Sequence, residues 1–506
     1  MTERRRTRLI VPVCSPNPEQ MLADARRAVT AGADAVELRL DALPALPSHQ
    51  LLRDLLAACL PAESIVTCRP EREGGAYDGD ETRRLETLKN ALQCGATWVD
   101  VELDTDPAVR PDPSRTILSH HDFDRCPPDL DTLASTLDAA EAGVGKVAFA
   151  ADGPSDALRA LDVLRNAGKP TLALAMGEAG VLSRIAARKL GAFGTFAALE
   201  SGAESAPGQP TIHDLRSLYR WDEVTPQTPL MGVVGCPVAH SMSPAIHNAA
   251  LSATGTDGFY VPLLIQPGWE NFARFLDGIR RRPWLNWRGL SVTIPHKENA
   301  LRYVGEADCD GLAVRIGAVN TITFQPDGAL RGDNTDYAAA IDALCDAMGI
   351  SRPQLDGRGV TVLGAGGAAR AIVAALCHYG AAVTVCNRTV KRASKLAEEF
   401  GASAQPLEAA ERTPAEVVVN CTPIGMHPDV DACPVRSLPP GTQVVFDTIY
   451  NPVHTRLLQL AERAGAVTLT GVDMFVRQGA AQFSRWTGKP APAEVMRSVI
   501  LRTPGH

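Results

Sequence analysis

Two groups of residues in this chain have types and spacing suited to covalent and proton-transfer chemistry. In the first, Lys146 opens the apolar run KVAFA. An amine drawn into a low-dielectric core loses the solvation that favours its ammonium form and becomes nucleophilic toward a ketone, so a Schiff base is within its reach. His121, in SHHDF, follows another apolar run and titrates ordinarily near neutrality, which suits a general base. Arg69 and Arg184 are guanidinium forks able to hold a carboxylate through two bonds, and Glu73 lies in the loop RPEREGG that follows Arg69. Taken singly, these are equally a lysine reaching water from a strand start, a surface histidine and surface charges.

The second group lies further along. In GCPVAHSMSPAIHN (235 to 248), Ser241 and Ser243 flank a helix start, where hydroxyls and unpaired amides suit a carboxylate and where Ser243 before Pro244 equally serves as an N-cap. Lys297 ends the apolar run of SVTIPHKE near Thr293. Asp336 falls in the first turn of a helix after Asn334 and Thr335, a place an acid also takes for the helix dipole alone. In VLGAGGAAR (362 to 370), Gly364, Gly366 and Ala369 fit G-x-G-x-x-G/A, in which bare backbone approaches a pyrophosphate at a helix N-terminus. The next strand ends in Asn387, Arg388 and Thr389, with no acid for a ribose 2′-hydroxyl and a guanidinium suited to a 2′-phosphate, which favours NADP over NAD. Lys391 and Arg392 add positive charge nearby, although helix-surface solvation also explains them.

Positioning these groups requires two architectures. Apolar runs at 9 to 14, 35 to 40, 64 to 69, 98 to 103, 115 to 120, 146 to 150, 171 to 176 and 193 to 199 read as strands. Between them lie helix-length segments such as 17 to 31, 81 to 94, 129 to 142, 155 to 167 and 180 to 190, an alternation that predicts a (β/α)8 barrel. Glu37, Arg39, Arg69, Glu102, His121 and Met176-Gly177 fall near strand ends, where a barrel keeps its active site. The segment Trp221 to Pro229 reads as a linker, after which the glycine turn suggests an open, doubly wound sheet.

Length and composition agree. A chain of 506 residues predicts two to five folded units. With 45% apolar and 21% charged residues it has a globular composition, and a net charge of −8 is the wrong sign for phosphate-backbone binding, so nucleic acid is not expected. Residues 2 to 8 are Arg-rich, but the apolar run after them is short and broken by Pro12, so a solvated tail is expected rather than a signal peptide. No apolar stretch is long enough for a membrane helix, and the 12 cysteines form no C-x-x-C pair, so a soluble cytoplasmic chain with free thiols and no metal is expected.

The motifs carry a resemblance. ELRLD (37 to 41), TCR (67 to 69), EGG (73 to 75), SHHDF (119 to 123), KVA (146 to 148), MGEAGVLSR (176 to 184) and SAPGQ (205 to 209) follow the order and approximate spacing of class I 3-dehydroquinate dehydratases over residues 8 to 219. The resemblance implies a TIM barrel in which Lys146 forms an imine with the ring ketone of 3-dehydroquinate. His121 would remove the C2 proton and help expel the C1 hydroxyl as water, with Glu73 orienting or tuning it. Arg184 would bind the substrate carboxylate, while Glu37, Arg39 and Arg69 contact ring hydroxyls or order the site. Ser205 and Gln209 resemble the family's closing loop, which would exclude water from the imine.

From about 228 to 503, GCPVAHSMSP, SVTIPHK, GAVNTI (317 to 322), GDNTD (332 to 336), LGAGGAAR (363 to 370), NRT, NCTPIGM (420 to 426) and GVDMFVRQGA (471 to 480) together resemble shikimate dehydrogenase. This implies a linker at 220 to 229, an α/β substrate-binding lobe at 230 to 336, a Rossmann NADP-binding lobe at 337 to 475 and C-terminal helices at 476 to 503 returning to the substrate lobe. Ser241 and Ser243 would take the carboxylate, and Thr293, Asn320, Asp336 and Gln478 the ring hydroxyls. Lys297 and Asp336 would form the catalytic pair, with Tyr450, in FDTIYNP, a further substrate or cofactor contact. Gly364, Ala365, Gly366, Gly367, Ala368, Asn387, Arg388, Thr389, Thr422 and Met474 would surround NADP. The chain departs from the family pattern at Ala338 and Ala340, which concerns local geometry around the following helix.

Together the two resemblances imply a fused shikimate-pathway enzyme of aromatic biosynthesis, dehydrating 3-dehydroquinate to 3-dehydroshikimate and reducing that with NADPH to shikimate. Its expected partners are these small molecules, with no membrane and no obligate protein partner. Two rivals are quinate dehydrogenation in the second half and a non-catalytic sensor. Ser243 and Thr293 argue against the first, and retention of Lys146, His121, Lys297 and Asp336 against the second.

Overall fold

The computed structural model describes residues 6 to 502, so positions 2 to 5 of the Arg-rich stretch and position 503 of the expected C-terminal helices lie outside the described residues. Contacts divide the chain into two compact units, Met1–Ser241 with Asp257–Trp287, and Met242–Thr256 with Arg288–His506.

Eight strands of the first unit form one sheet: β1 (Arg8–Val13), β2 (Ala35–Arg39), β3 (Glu63–Thr67), β4 (Trp98–Glu102), β5 (Thr116–Asp122), β6 (Val144–Ala150), β7 (Thr171–Met176) and β8 (Gly194–Phe196). They are ordered β7-β6-β5-β4-β3-β2-β1-β8 with parallel neighbours, and the Phe193 amide donates to Thr171 O (2.9 Å) to close the ring at its base. This is the expected (β/α)8 barrel. Helices such as Pro18–Thr30, capped by Asn17 Oδ1 on the Glu19 amide (2.8 Å), and Glu81–Gln93, capped by Asp80, alternate with the strands.

Side-chain alternation along each strand layers the interior. Ile10, Ala35, Ile65, Ile117, Val144 and Leu172 form an apolar floor. Two residues further on, the same strand face carries Glu37, Thr67, Ser119 and Lys146, and β4 carries Asp100 beyond Trp98. The floor excludes water from below, and the polar layer becomes the base of the cavity.

Three local expectations change. Lys146 is the third residue of β6 rather than its first, because the strand takes in Gly145, whose amide bonds Pro170 O (3.0 Å), although a glycine ordinarily reads as a strand breaker. His121 lies within β5 rather than after it. The helix expected over 180 to 190 is a short one, Val181–Ile185, between 3-10 turns at Glu178–Gly180 and Arg188–Leu190. Gly180 lies too close to the Ala175 backbone for a side chain, and Gly191 has left-handed φ (+68°), so the chain turns at both ends.

The segment expected as a linker is packed. Trp221 is 1% exposed, and the buried Lys189 ammonium donates to Pro226 O (2.7 Å) and Thr228 O (2.8 Å). Beyond it, β9 (Leu230–Gly235) and β10 (Phe259–Leu264) form a parallel pair, followed by the helix Trp269–Arg280.

In the second unit, β11 (Trp287–Val292), β12 (Thr321–Phe324) and β13 (Leu330–Asp333) pair antiparallel. A separate parallel sheet holds β14 (Gly359–Leu363), β15 (Ala382–Asn387), β16 (Ser403–Pro406), β17 (Val417–Asn420), β18 (Val444–Asp447) and β19 (Val467–Leu469), in the order β16-β15-β14-β17-β18-β19. Val360, Val362, Ile372, Leu376, Val417, Val419 and Phe446 form its core against the surrounding helices. The strand order reverses between β14 and β17, the place where a doubly wound sheet opens a crevice for a ligand.

Two further expectations change here. Ser243 is the first residue of the helix Ser243–Ala253 and not its N-cap, a position taken by Met242 with no side-chain cap bond. Lys297 opens the helix Lys297–Val304 instead of ending a strand, since β11 stops at Val292, three residues before Pro295.

Candidate active sites

One cavity in the barrel is lined by Glu37, Arg39, Arg69, Glu73, His121, Lys146, Arg184, Ser205 and Gln209, so all nine residues expected for the first site meet there. Lys146 Nζ is buried, 2.8 Å from Asp100 Oδ2 and 3.9 Å from Glu37 Oε1, and lies over the Phe196 ring. The amine is therefore removed from water yet faced by two carboxylates, a setting more polar than burial alone implied.

Asp100 belongs to a buried ion network. Arg69 reaches Asp100 Oδ1 (2.8 Å) and Glu102 Oε1 (2.7 Å), Arg84 reaches Glu102 Oε2 (2.7 Å), and Ser119 Oγ donates to Asp100 Oδ1 (2.6 Å). Burial alone would raise the Asp100 carboxyl, but Arg69 and Lys146 pull it down to about 2, so it stays anionic. Burial dominates at Glu102 and raises it despite its two arginines. Asp41 pairs with Arg39 (2.7 Å) and accepts the Arg69 and Ala76 amides (3.1 and 3.2 Å), which pins the loop carrying Glu73.

His121 donates its backbone N–H to Glu73 Oε2 (2.8 Å), and its Nδ1 lies 2.9 Å from the same oxygen. A hydrogen on Nδ1 makes that contact a bond and leaves Nε2 as the basic nitrogen. Burial, then the Arg69 charge, hold the His121 ring well below its ordinary value, and the Glu73 carboxyl is brought to about 2 by its two histidine partners in spite of burial.

Arg184 differs from the other cations. It is 1% exposed, no ion pair is found for it among the described residues, its Nε has no hydrogen-bond partner, and burial lowers it to about 10. An uncompensated buried guanidinium is costly, and an anion entering the cavity would relieve it. Ser205 N and Oγ donate to Gln209 Oε1 (2.9 and 3.3 Å), and Gly177 N donates to Pro207 O (2.9 Å), so the 205–209 loop lies against the end of β7.

In the second unit, Lys297 Nζ pairs with Asp336 Oδ2 at 2.5 Å. Asn334 Oδ1 caps the helix Thr335–Met348 through the Asp336 and Tyr337 amides. Asn320 Oδ1 accepts the Thr335 amide (2.7 Å), and Gln482 bridges Ser291 Oγ (2.7 Å) and Thr321 Oγ1 (2.9 Å). Gln478 lies one turn before Gln482 on the helix Gly471–Thr487, and Gly479 on that helix packs against Ile246 and His247 of the helix that Ser243 opens. Thr293 follows β11 directly. Ser241 belongs to the first unit, where its amide bonds Val238 O (3.0 Å). Tyr450 stacks on Phe475 at 5.4 Å.

The residues around the glycine turn fit a dinucleotide. Gly364 takes φ +106° beside Cys421 O, and the helix Gly367–His378 has no side-chain cap at Gly366. A Cβ on Gly366 or Gly367 would meet open space, so these amides are accessible to an anion. Ala365 packs partly buried against the sheet core, and Ala368 lies in the helix's first turn. Asn387 Nδ2 donates to Thr389 O (2.9 Å), and Arg388 between them is exposed. Thr422 Oγ1 donates to Asn420 Oδ1 (2.7 Å) at the end of β17, and Met474 packs partly buried against the sheet core.

Sequence reasoning did not single out Asp100, Asp41, Arg84 or Gln482 for a role. Asp100 had a readable signal, an acid in an apolar strand two residues before Glu102 and so on the same face. Gln482 had a weaker one, its one-turn spacing from Gln478.

The type I 3-dehydroquinase family model matches residues 9–226. Those for the shikimate dehydrogenase substrate binding domain, shikimate/quinate 5-dehydrogenase and the shikimate 5′-dehydrogenase C-terminal domain match 233–322, 348–427 and 471–501. The bifunctional 3-dehydroquinate dehydratase/shikimate dehydrogenase, chloroplastic, of Arabidopsis thaliana is 38% identical over 98% of this chain and 84% of its own. The shikimate dehydrogenase (NADP(+)) of Methanosarcina acetivorans is 42% identical over 54% of this chain and 97% of its own. A solved structure of dehydroquinate dehydratase and shikimate dehydrogenase from S. pombe is 25% identical over 99% of both chains, with a TM-score of 0.45. With the barrel motifs and the reductase motifs following one another in a single polypeptide, as in the plant relative, this chain belongs to the bifunctional 3-dehydroquinate dehydratase/shikimate dehydrogenase family.

Proposed function

We propose that the barrel dehydrates 3-dehydroquinate through a Schiff base on Lys146 and that the second half reduces the resulting 3-dehydroshikimate to shikimate with NADPH. The observation that carries the first activity is the buried Lys146 amine in one cavity with His121 and the partnerless Arg184. In this reading the dehydratase occupies 8–219, followed by a connecting segment at 220–229, a substrate lobe at 230–336, a nucleotide lobe at 337–475 and closing helices at 476–503. Twelve free cysteines suit a reducing, cytoplasmic setting, and no helix among the described residues is long and apolar enough to cross a membrane.

Arg184 holds the substrate carboxylate, with Glu37, Arg39 and Arg69 ordering the ring hydroxyls. Lys146 Nζ attacks the ring ketone; the N–C bond forms, the carbonyl oxygen leaves as water, and the resulting iminium keeps a positive charge where Asp100 already balances one. His121 Nε2 takes the C2 proton, and the C–H electron pair moves into the enamine. Its return expels the C1 hydroxyl, which leaves as water with the proton that His121 gives back. Hydrolysis of the imine then frees Lys146. Glu73 holds the imidazole, while Ser205 and Gln209 keep bulk water from the imine.

In the second site NADPH supplies the hydride. Gly364, Ala365, Gly366, Gly367 and Ala368 would hold its phosphates, Asn387, Arg388 and Thr389 its adenosine end, and Thr422, Met474 and Tyr450 would line the rest of its site. Ser241 and Ser243 take the substrate carboxylate, while Thr293, Asn320 and Gln478 take ring hydroxyls. Lys297, fixed by Asp336, faces the carbonyl oxygen as it gains charge and a proton.

Borohydride reduction in the presence of 3-dehydroquinate, followed by peptide mass mapping, tests the mechanism. A ligand adduct on Lys146 is expected, whereas an unmodified Lys146 alongside normal dehydratase turnover would remove the Schiff base.

A further inference from the structure

His120 precedes the base in β5, and strand alternation sends its side chain to the other face. Near the strand's end, however, its Nδ1 lies 3.4 Å from Glu73 Oε1, while His121 occupies Oε2 through both its amide and its ring. One carboxylate thus joins two imidazoles in different surroundings: the His120 side chain is 34% exposed, that of His121 9%.

We propose that His120 is a positioning residue for the dehydratase base, and that its charge, acting through the shared Glu73 carboxylate, sets how tightly His121 holds a proton. The inference rests on the reading of His121 as that base. Glu73 from the 3-10 turn Glu71–Glu73, Asp122 from β5 and Asp104 after β4 all face His120, and Arg72 holds Asp104 (2.8 Å). Glu73 raises the His120 ring above its ordinary value, against the drag of burial. His121 is faced instead by Arg69 and by Lys146 of β6, and burial with those cations moves it the other way. Around one carboxylate the two rings separate into one that charges readily and one kept neutral.

The sign follows. A proton on His120 draws on Glu73 and repels a second proton on His121, so the base stays free to lower pH. A neutral side chain at 120 leaves the Glu73 charge to the His121 imidazolium, which then holds its proton to higher pH.

The test is the pH dependence of dehydratase kcat/KM in the full chain, for the wild type and for His120→Asn, His120→Gln and His120→Arg. In the two neutral variants the acid limb should move up by about half to one pH unit, the size of the coupling between like charges several ångströms apart at a partly exposed site. His120→Arg keeps a charge there and should leave the limb at its wild-type position. His120→Gln serves if His120→Asn does not fold. The proposal is overturned if the neutral variants keep the wild-type limb, or if His120→Arg moves it as they do. Failure of the underlying reading looks different: no dehydratase turnover in the wild type, or full turnover in His121→Ala.

Discussion

The Lys146 ammonium, on β6, and the Asp100 carboxylate, on β4, meet at 2.8 Å across the face of β5, whose Ser119 hydroxyl also donates to Asp100. The contact keeps the amine oriented into the cavity and leaves a fixed negative charge beside the nitrogen that becomes an iminium. Arg69, just past the end of β3, holds the same carboxylate (2.8 Å), so groups from three neighbouring strands place the nucleophile carried by β6.

Asp100 and Glu73 both have carboxyls held at about 2, below their ordinary 3.8 and 4.5. A carboxyl depressed by folding contributes stability that is fully present above its unfolded value and is lost as pH falls through the folded one. Asp100 should contribute roughly 2 kcal/mol and Glu73 roughly 3 kcal/mol at neutral pH, lost as pH falls from about 4.5 to about 2. Denaturant unfolding across that window should show a shallower acid loss in Asp100→Asn and Glu73→Gln than in the wild type. An unchanged slope would refute the assignment.

Arg184→Met should separate stability from binding. Removing a buried cation that lacks a partner should hold or raise the stability of the ligand-free barrel, by up to ~2 kcal/mol. Removing the same fork from a substrate carboxylate should raise KM for 3-dehydroquinate by about two orders of magnitude. Calorimetric melting and steady-state kinetics read the two effects; a destabilised barrel with unaltered KM contradicts both parts.

Lys297 and Asp336 lie 2.5 Å apart in the second unit, remote in chemistry from the imine site. Lys297→Met and Asp336→Asn should each lower shikimate dehydrogenase kcat by roughly 10²- to 10⁴-fold while dehydratase turnover stays at its wild-type rate. Assaying both activities on one preparation provides the internal control. A parallel fall in the two would point to misfolding rather than lost chemistry.

Arg388, exposed between Asn387 and Thr389, should discriminate the cofactor's 2′-phosphate. Arg388→Ala is expected to weaken NADPH binding about 10- to 100-fold and NADH binding far less, read by fluorescence titration of each. Equal losses for both would remove the 2′-phosphate contact.

The pattern of eight apolar runs, the strand–turn–helix at 362 to 370 and the order of the polar motifs were legible from the chain alone, because strand and helix periods and the chemistry of Lys146, His121, Lys297 and Asp336 are local properties. Strand limits were less so: Gly145 reads as a breaker but sits inside β6, and that shift buries Lys146. Tertiary structure alone decided which charges meet. Asp100 becomes the partner of Lys146 because the barrel's register brings alternate strands' inward residues to one level, and Arg184 is buried on the short helix after β7 with no ion-pair partner among the described residues. Glu73, 48 residues from His121, joins two histidines for the same reason. Such pairings depend on how distant segments pack, and a linear pattern of residue types carries no distance between them.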